Sequence, residues 1–116
     1  MSEIRARHST GGEKGRKPVQ FSRLPRFLEE VAEHFTKGAA KYPDVEPGRA
    51  NWSLGYPWSW SFDALCRHLW AWWHGEDDDP ETGSHHLAAV IFHALVLGEF
   101  QRGGLGEDDR PPPRRA

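Results

Sequence analysis

The chain of 116 residues has a single cysteine, Cys66, so it can form neither an internal disulfide nor a multi-cysteine zinc site. It lacks any apolar run of about 18 residues, which excludes a helical membrane span. The amino terminus carries no apolar signal core, and a reducing cytoplasm is the expected setting. No P-loop, GxGxxG, nucleophile elbow, HExxH or zinc spacing occurs, so a phosphate would have to be held by side chains and metal. An excess of one charge is missing as well. With 15 basic against 17 acidic residues, a general binder of nucleic-acid polymers is not expected.

Hydrophobic residues make up only 37% of the chain, while 12 Gly and 9 Pro require much loop or tail. Six Trp and six Phe therefore carry an unusual share of the apolar content. The length suits one domain. A domain this small buries a modest fraction of its surface and gains from a partner subunit. Composition divides it into a basic arm or extended loop over 1–20, a helical domain over 21–102, and a Pro/Arg-rich tail over 103–116 expected to be disordered.

Every strong apolar period is helical, which makes the domain all-α with about three main helices. The first helix is expected from about Pro25 to Tyr42, with Phe27, Leu28, Val31, Ala32, Phe35 and Ala39 on its apolar face. Pro25 suits a first turn, where its missing N–H costs nothing. The second helix is expected to begin after Ser59 or Ser61 and to end at Gly75. Its broad apolar face is Phe62, Leu65, Cys66, Leu69, Trp72 and Trp73, with His68 on the flank and Cys66 an inert core thiol. The third helix is expected to begin near Asp79-Pro80-Glu81 or Ser84 and to reach about Gln101. It carries one stripe of Leu87, Ile91, Ala94 and Gly98 and a second of His86, Val90, His93 and Leu97. Asn51 to Trp60 is too rich in Gly, Pro and Ser for a confident strand.

Three constellations can carry chemistry. Glu76, Asp79 and Glu81, close to His85 and His86, supply hard oxygen ligands with imidazole beside them, a set suited to Mg²⁺ or Mn²⁺. The same residues also read as a plain helix start, with Asp79 the cap, Pro80 the first residue and Glu81 answering the helix dipole. Lys41 at a helix end can hold phosphate oxygens as a point charge, and Asn51 with Trp52 can contact a base by hydrogen bond and stacking. A helix terminus followed by a loop pinned by Trp52 is the plainer alternative. His68, His86 and His93 border apolar faces, where both structural and proton-transferring histidines occur. The Trp cluster reads as core and subunit interface.

The order of motifs is more specific than any one of them. Gly12-Glu13-Lys14-Gly15-x-Lys17 is followed by Gly38-Ala39-x-Lys41-Tyr42, then by Asn51-Trp52 and Gly55-Tyr56-Pro57-Trp58. Arg67-His68-Leu69-x-Ala71-Trp72, Gly75-Glu76-x-x-Asp79-Pro80-Glu81-Thr82-Gly83 and His86-Leu87-Ala88 complete the series. Over roughly residues 11–100 it resembles the small, largely phage-encoded dATP/dGTP diphosphohydrolases, relatives of the MazG-type pyrophosphohydrolases. The resemblance implies a MazG-like helical subunit that assembles with its neighbours into a homo-oligomer, dimer or tetramer. It also implies Mg²⁺- or Mn²⁺-dependent cleavage of a deoxypurine triphosphate to monophosphate and pyrophosphate.

Residue by residue, the resemblance implies Glu76, Asp79 and His68 as catalytic and Glu76, Asp79, Glu81 and His86 as metal ligands. It implies Lys17, Lys41 and Arg67 as partners of the triphosphate and Asn51 and Trp52 as partners of the base. Ala89 stands where relatives carry the second histidine of H-x-x-H, with His85 and His93 as candidate replacements. That departure keeps two other readings open: a nucleotide-binding protein that sequesters or senses without turnover, and a helical scaffold.

Overall fold

Three helices and a small hairpin make up the computed structural model, which describes residues 4–113. The helices are α1, Leu28–Lys41, α2, Trp58–Trp73, and α3, His86–Gly103. Two strands precede them, β1, Ile4–Arg7, and β2, Glu13–Arg16, paired antiparallel with Arg7 opposite Glu13. The arm expected over 1–20 is thus partly an exposed β-ribbon, and the molecule is mostly helical rather than all-α. Only β1 alternates, Ile4 and Ala6 with Arg5 and Arg7, and four residues are too few for strand periodicity to stand out. The ribbon turns at Gly11, where φ is +89° and a side chain would be strained.

The helices meet in a simple pattern. Ser61 lies opposite His93 and His68 opposite His86, so α2 runs antiparallel to α3. Phe27 packs on His85 and His34 on Phe92, so α1 runs parallel to α3. Both helices pack on α3 and barely touch one another. The core is therefore narrow, built from Val31, Ala64, Ala88, Ala89, Val96 and Phe100, and a gap remains between α1 and α2.

The buried faces differ from those expected. On α2 the buried positions are Ser61 and Ala64, while Phe62, Leu69 and Trp73 are exposed at 58%, 42% and 74%. Cys66 is exposed as well, so it is no core thiol. The small, polar face of α2 turns to α3 because it admits close approach and finds hydrogen-bond partners there. On α3 the buried line is Ala89, Val96 and Phe100, and Ala94 and Gly98 of the expected stripe are exposed. On α1, His34 is buried where Ala32 and Ala39 are not.

Helix ends show the same dependence on distant partners. Pro25 to Phe27 make a tight turn of i→i+3 bonds, and α1 proper begins at Leu28. Asp79 does not cap α3. The helix begins at His86, where the His85 ring accepts the Leu87 N–H at 3.0 Å. Asp79 instead closes its own turn, accepting from the Glu81 N–H and the Thr82 hydroxyl, each at 3.1 Å.

Of the 103–116 tail expected to be disordered, residues 105–109 fold back on the start of α2, and 114–116 lie outside the described residues. The Trp58 N–H donates to the Glu107 carbonyl at 2.9 Å and the Trp58 indole to the Leu105 carbonyl at 2.9 Å. Asp109 accepts from the Ser59 N–H and hydroxyl, which supplies the N-terminal cap of α2 from outside the helix. A Cβ on Gly106 would lie 2.4 Å from the Tyr56 carbonyl oxygen; the two strands of chain cross here only because both Gly55 and Gly106 lack side chains.

Candidate functional site

The gap between α1 and α2 is a cavity of about 810 Å³ floored by α3. From α1 it receives His34, Lys37 and Lys41; from α2, Arg67 and His68; from the 79–83 turn, Asp79 and Glu81; from α3, His86, Phe92 and His93. Six of the ten residues expected at the site, His68, Asp79, Glu81, His86, Lys41 and Arg67, therefore converge on one space. Glu76 stands behind His86, bonded to it but outside the lining.

The remaining expected residues lie elsewhere. Lys17 follows β2 and is not in the lining. Asn51 opens a 3₁₀ turn, Asn51–Leu54. Trp52 packs between Phe35 and Phe100, with ring centroids 6.2 and 6.3 Å away. Trp52 is half-buried between these rings and does not line the cavity.

Two histidines and a carboxylate form a line. The ring nitrogen Nε2 of buried His86 lies 2.7 Å from Glu76 Oε1, and its Nδ1 lies 2.8 Å from His68 Nδ1. A carboxylate only accepts, so the His86 Nε2–H donates to Glu76. With a single proton on the His86 ring, its Nδ1 then accepts from the His68 Nδ1–H. This leaves the lone pair of His68 on Nε2, the nitrogen not held by His86, in a ring that lines the cavity. Burial holds His68 below the ordinary histidine range, helped by His86 and Arg67 and opposed by Asp79.

Two further histidines are tied down by serines. His34 Nδ1 lies 2.8 Å from Ser84 Oγ, which also accepts from Lys37 Nζ at 3.1 Å. His93 Nδ1 lies 3.0 Å from Ser61 Oγ, which is bonded in turn to the Tyr56 hydroxyl. Burial lowers both, with neighbouring histidines adding to it, and His93 falls to about 4. His34 carried no apolar signal; its spacing from Val31 was the only clue to its burial.

Carboxylates and cations are already engaged with one another. Lys41 Nζ bridges to Glu81 Oε1 at 2.7 Å, a pairing that raises the lysine above its ordinary value. Burial would raise Asp79, but the Glu81 N–H, the Thr82 hydroxyl and the nearby His68 and His86 outweigh it and leave the carboxyl below its usual range.

Glu76 and His86 are thus bonded to each other, Asp79 to its own turn and Glu81 to Lys41. Among the described residues no group of three or more His, Cys, Asp or Glu side chains is placed to hold a metal ion. Taken as a four-residue ligand set, they do not fit a preformed Mg²⁺ or Mn²⁺ centre. Ala89 is fully buried in the core. Of its two candidate replacements His85 caps α3, and His93 lines the cavity.

Comparison with known proteins agrees with the motif series. The family described as dATP/dGTP diphosphohydrolase, N-terminal, matches residues 8–110. A relative from Salmonella phage PMBT28, named dATP/dGTP diphosphohydrolase, is 40% identical over 86 residues. That alignment takes in 74% of this chain and 28% of the relative, so the chain spans well under half of the relative's length. No solved structure matches. Among the described residues no helix is long and apolar enough to cross a membrane.

Proposed function

The chain belongs to the dATP/dGTP diphosphohydrolase, N-terminal, family, and from that premise we propose that it is a hydrolase of deoxypurine triphosphates. It cleaves dATP or dGTP between the α- and β-phosphates, giving monophosphate and pyrophosphate. The observation that carries this reading is the cavity of about 810 Å³ that combines Lys37, Lys41 and Arg67 with the oriented His68. Its size falls in the range of sites that enclose small ligands, about 300–1,000 Å³. The name of the phage relative supports turnover over simple sequestration or a scaffold role.

In this reading the three cations offset the triphosphate charge. A water attacks the α-phosphorus, its oxygen forms the new P–O bond, and the bond to the β-phosphate oxygen breaks. The His68 lone pair accepts the proton of the water, and Glu76 acting through His86 stabilises the charge that the imidazole gains. No step is assigned to metal, since among the described residues its expected ligands are not grouped as a ligand set. Mg²⁺ or Mn²⁺ remains part of the proposal as a requirement of the reaction, supplying charge neutralisation on the triphosphate when present.

A MazG-like assembly of two or four copies also belongs to the proposal, supported by the exposed Trp60, Phe62, Leu69, Trp70 and Trp73. So does action in the cytoplasm of a bacterial host. Incubation with a panel of nucleoside triphosphates and either metal, followed by product analysis, tests the activity. Pyrophosphate release from dATP or dGTP is expected, and nucleotide recovered intact at every metal concentration would overturn the reading.

A further inference from the structure

Nothing assigned so far reads a base inside the cavity, because neither Asn51 nor Trp52 lines it. The part of the cavity lined by α1 and α3 offers an alternative. There His34 and His93 both stand edge-on to Phe92, with ring centroids 5.0 and 4.9 Å from it. All three line the cavity. Phe92 gives an apolar surface, and each histidine is anchored through Nδ1 alone.

The anchors determine which nitrogen carries the proton. Lys37 is a donor only, so it occupies a lone pair of Ser84 Oγ and cannot accept the serine proton. The Ser84 hydroxyl therefore donates to His34 Nδ1, its acceptor among the described residues. The second anchor is satisfied throughout when Tyr56 donates to Ser61 and Ser61 donates to His93 Nδ1. Burial also raises Tyr56, which keeps its hydroxyl protonated. Both rings then carry their proton on Nε2. Among the described residues neither Nε2 is given a hydrogen-bond partner, and no fully buried side-chain nitrogen or oxygen is left unsatisfied, so both Nε2–H groups retain some access to solvent in rings that line the cavity.

We propose that His34 and His93 form a base-reading pair, two neutral Nε2–H donors flanking Phe92, that selects guanine over adenine. Guanine presents two adjacent acceptors, O6 and N7, on one edge; adenine presents an acceptor and an amino donor there. Two donors match the first edge and oppose one hydrogen of the second. The low proton affinity of both histidines fits this role, since a neutral ring is not drawn to the phosphates. His68 differs in kind. Held by His86, it offers a lone pair and belongs to the chemistry.

The inference rests on the proposed hydrolase reading, and the experiment separates the two. The intact chain is assayed for pyrophosphate release with dGTP, dATP, 7-deaza-dGTP and dITP, and binding of each is measured by calorimetry. A preference for dGTP over dATP of about tenfold or more is expected, as a matched donor–acceptor pair on a base edge provides. dITP, which keeps O6 and N7, should behave as dGTP, and 7-deaza-dGTP, which lacks N7, should lose most of the preference. His93→Phe should bring the ratio of dGTP to dATP affinity, read by calorimetry, toward one, and His93→Gln, which keeps an N–H donor, should restore part of the difference.

Equal use of dGTP and dATP, with no effect of 7-deazaguanine, would overturn the base-reading pair and leave the hydrolase reading standing. Binding with guanine preference but no turnover would overturn the hydrolase reading and keep the pair. Failure of every nucleotide to bind would remove both.

Discussion

His68 and His86 face each other Nδ1 to Nδ1 at 2.8 Å, and one of the two nitrogens must therefore give up its proton to the bond. Glu76 decides which, because it takes the other nitrogen of His86 at 2.7 Å. A half-exposed carboxylate on the loop after α2 thus governs the state of a ring inside the cavity without touching that cavity. Substituting Glu76→Gln should lower kcat by about a hundredfold or more, the scale of general-base contributions, with KM little changed. The melting temperature should move only slightly, since Glu76 is half exposed. Unchanged kcat would break the link between Glu76 and His68.

Stability should depend on pH in a defined window. His34, His68 and His93 all bind protons less readily folded than unfolded, His93 down to about 4. Between that value and the unfolded value near 6.5 the unfolded chain holds more protons, so stability rises with pH there. The melting temperature is expected to be highest above about pH 6.5 and to fall as pH drops toward 4. His93→Gln should flatten that slope in a thermal melt series.

The crossing of Gly55 and Gly106 predicts a local weak point. Gly106→Ala would place a side chain at φ +69° and against the Tyr56 carbonyl. The backbone conformation alone costs about 1–2 kcal/mol, and the contact adds to it. Denaturant unfolding should show a reduced midpoint. Asp109→Ala should act in the same direction, by uncapping α2, while leaving the cavity residues in place.

Self-association is expected through the outer face of α2. Trp73→Glu and Trp70→Glu should each lower the mass measured by light scattering, since both rings are largely exposed in the single chain. Reaction of the exposed Cys66 thiol with a maleimide should be slow in the associated form and fast in these variants. A wild-type monomer at all concentrations would remove the assembly from the proposal.

The sequence made some of this legible and hid the rest for identifiable reasons. The end of α2 was readable because Gly75 marks it within the chain itself; the helix stops at Trp73, with Gly75 at φ +96°. Its start was not, since the cap is Asp109, fifty residues away. The convergence of His68, His86, Asp79, Glu81, Lys41 and Arg67 followed from motif order. The second role of α2, presenting aromatic residues outward while burying Ser61 and Ala64, inverts the usual rule of apolar residues inside. His34 was missed because a lone polar residue on a helix gives no sign of the serine that will satisfy it. The hairpin was missed because its one alternation, Ile4 and Ala6 with Arg5 and Arg7, is four residues long and β2 offers only Glu, Lys, Gly and Arg; the Gly11-Gly12 turn is the other hint.

The latch formed by residues 105–109 has a consequence for motion. The antiparallel pair α2–α3 is fastened at its far end by that latch and at its near end by the 74–85 connection, where the Asp77 carbonyl accepts the His86 N–H. A pair pinned at both ends cannot slip lengthwise, so the pairings His68–His86 and Ser61–His93 keep their register. The same connection also holds α1, through His34 and Lys37 on Ser84 and Lys41 on Glu81, so one short loop sets the position of all three helices around the cavity.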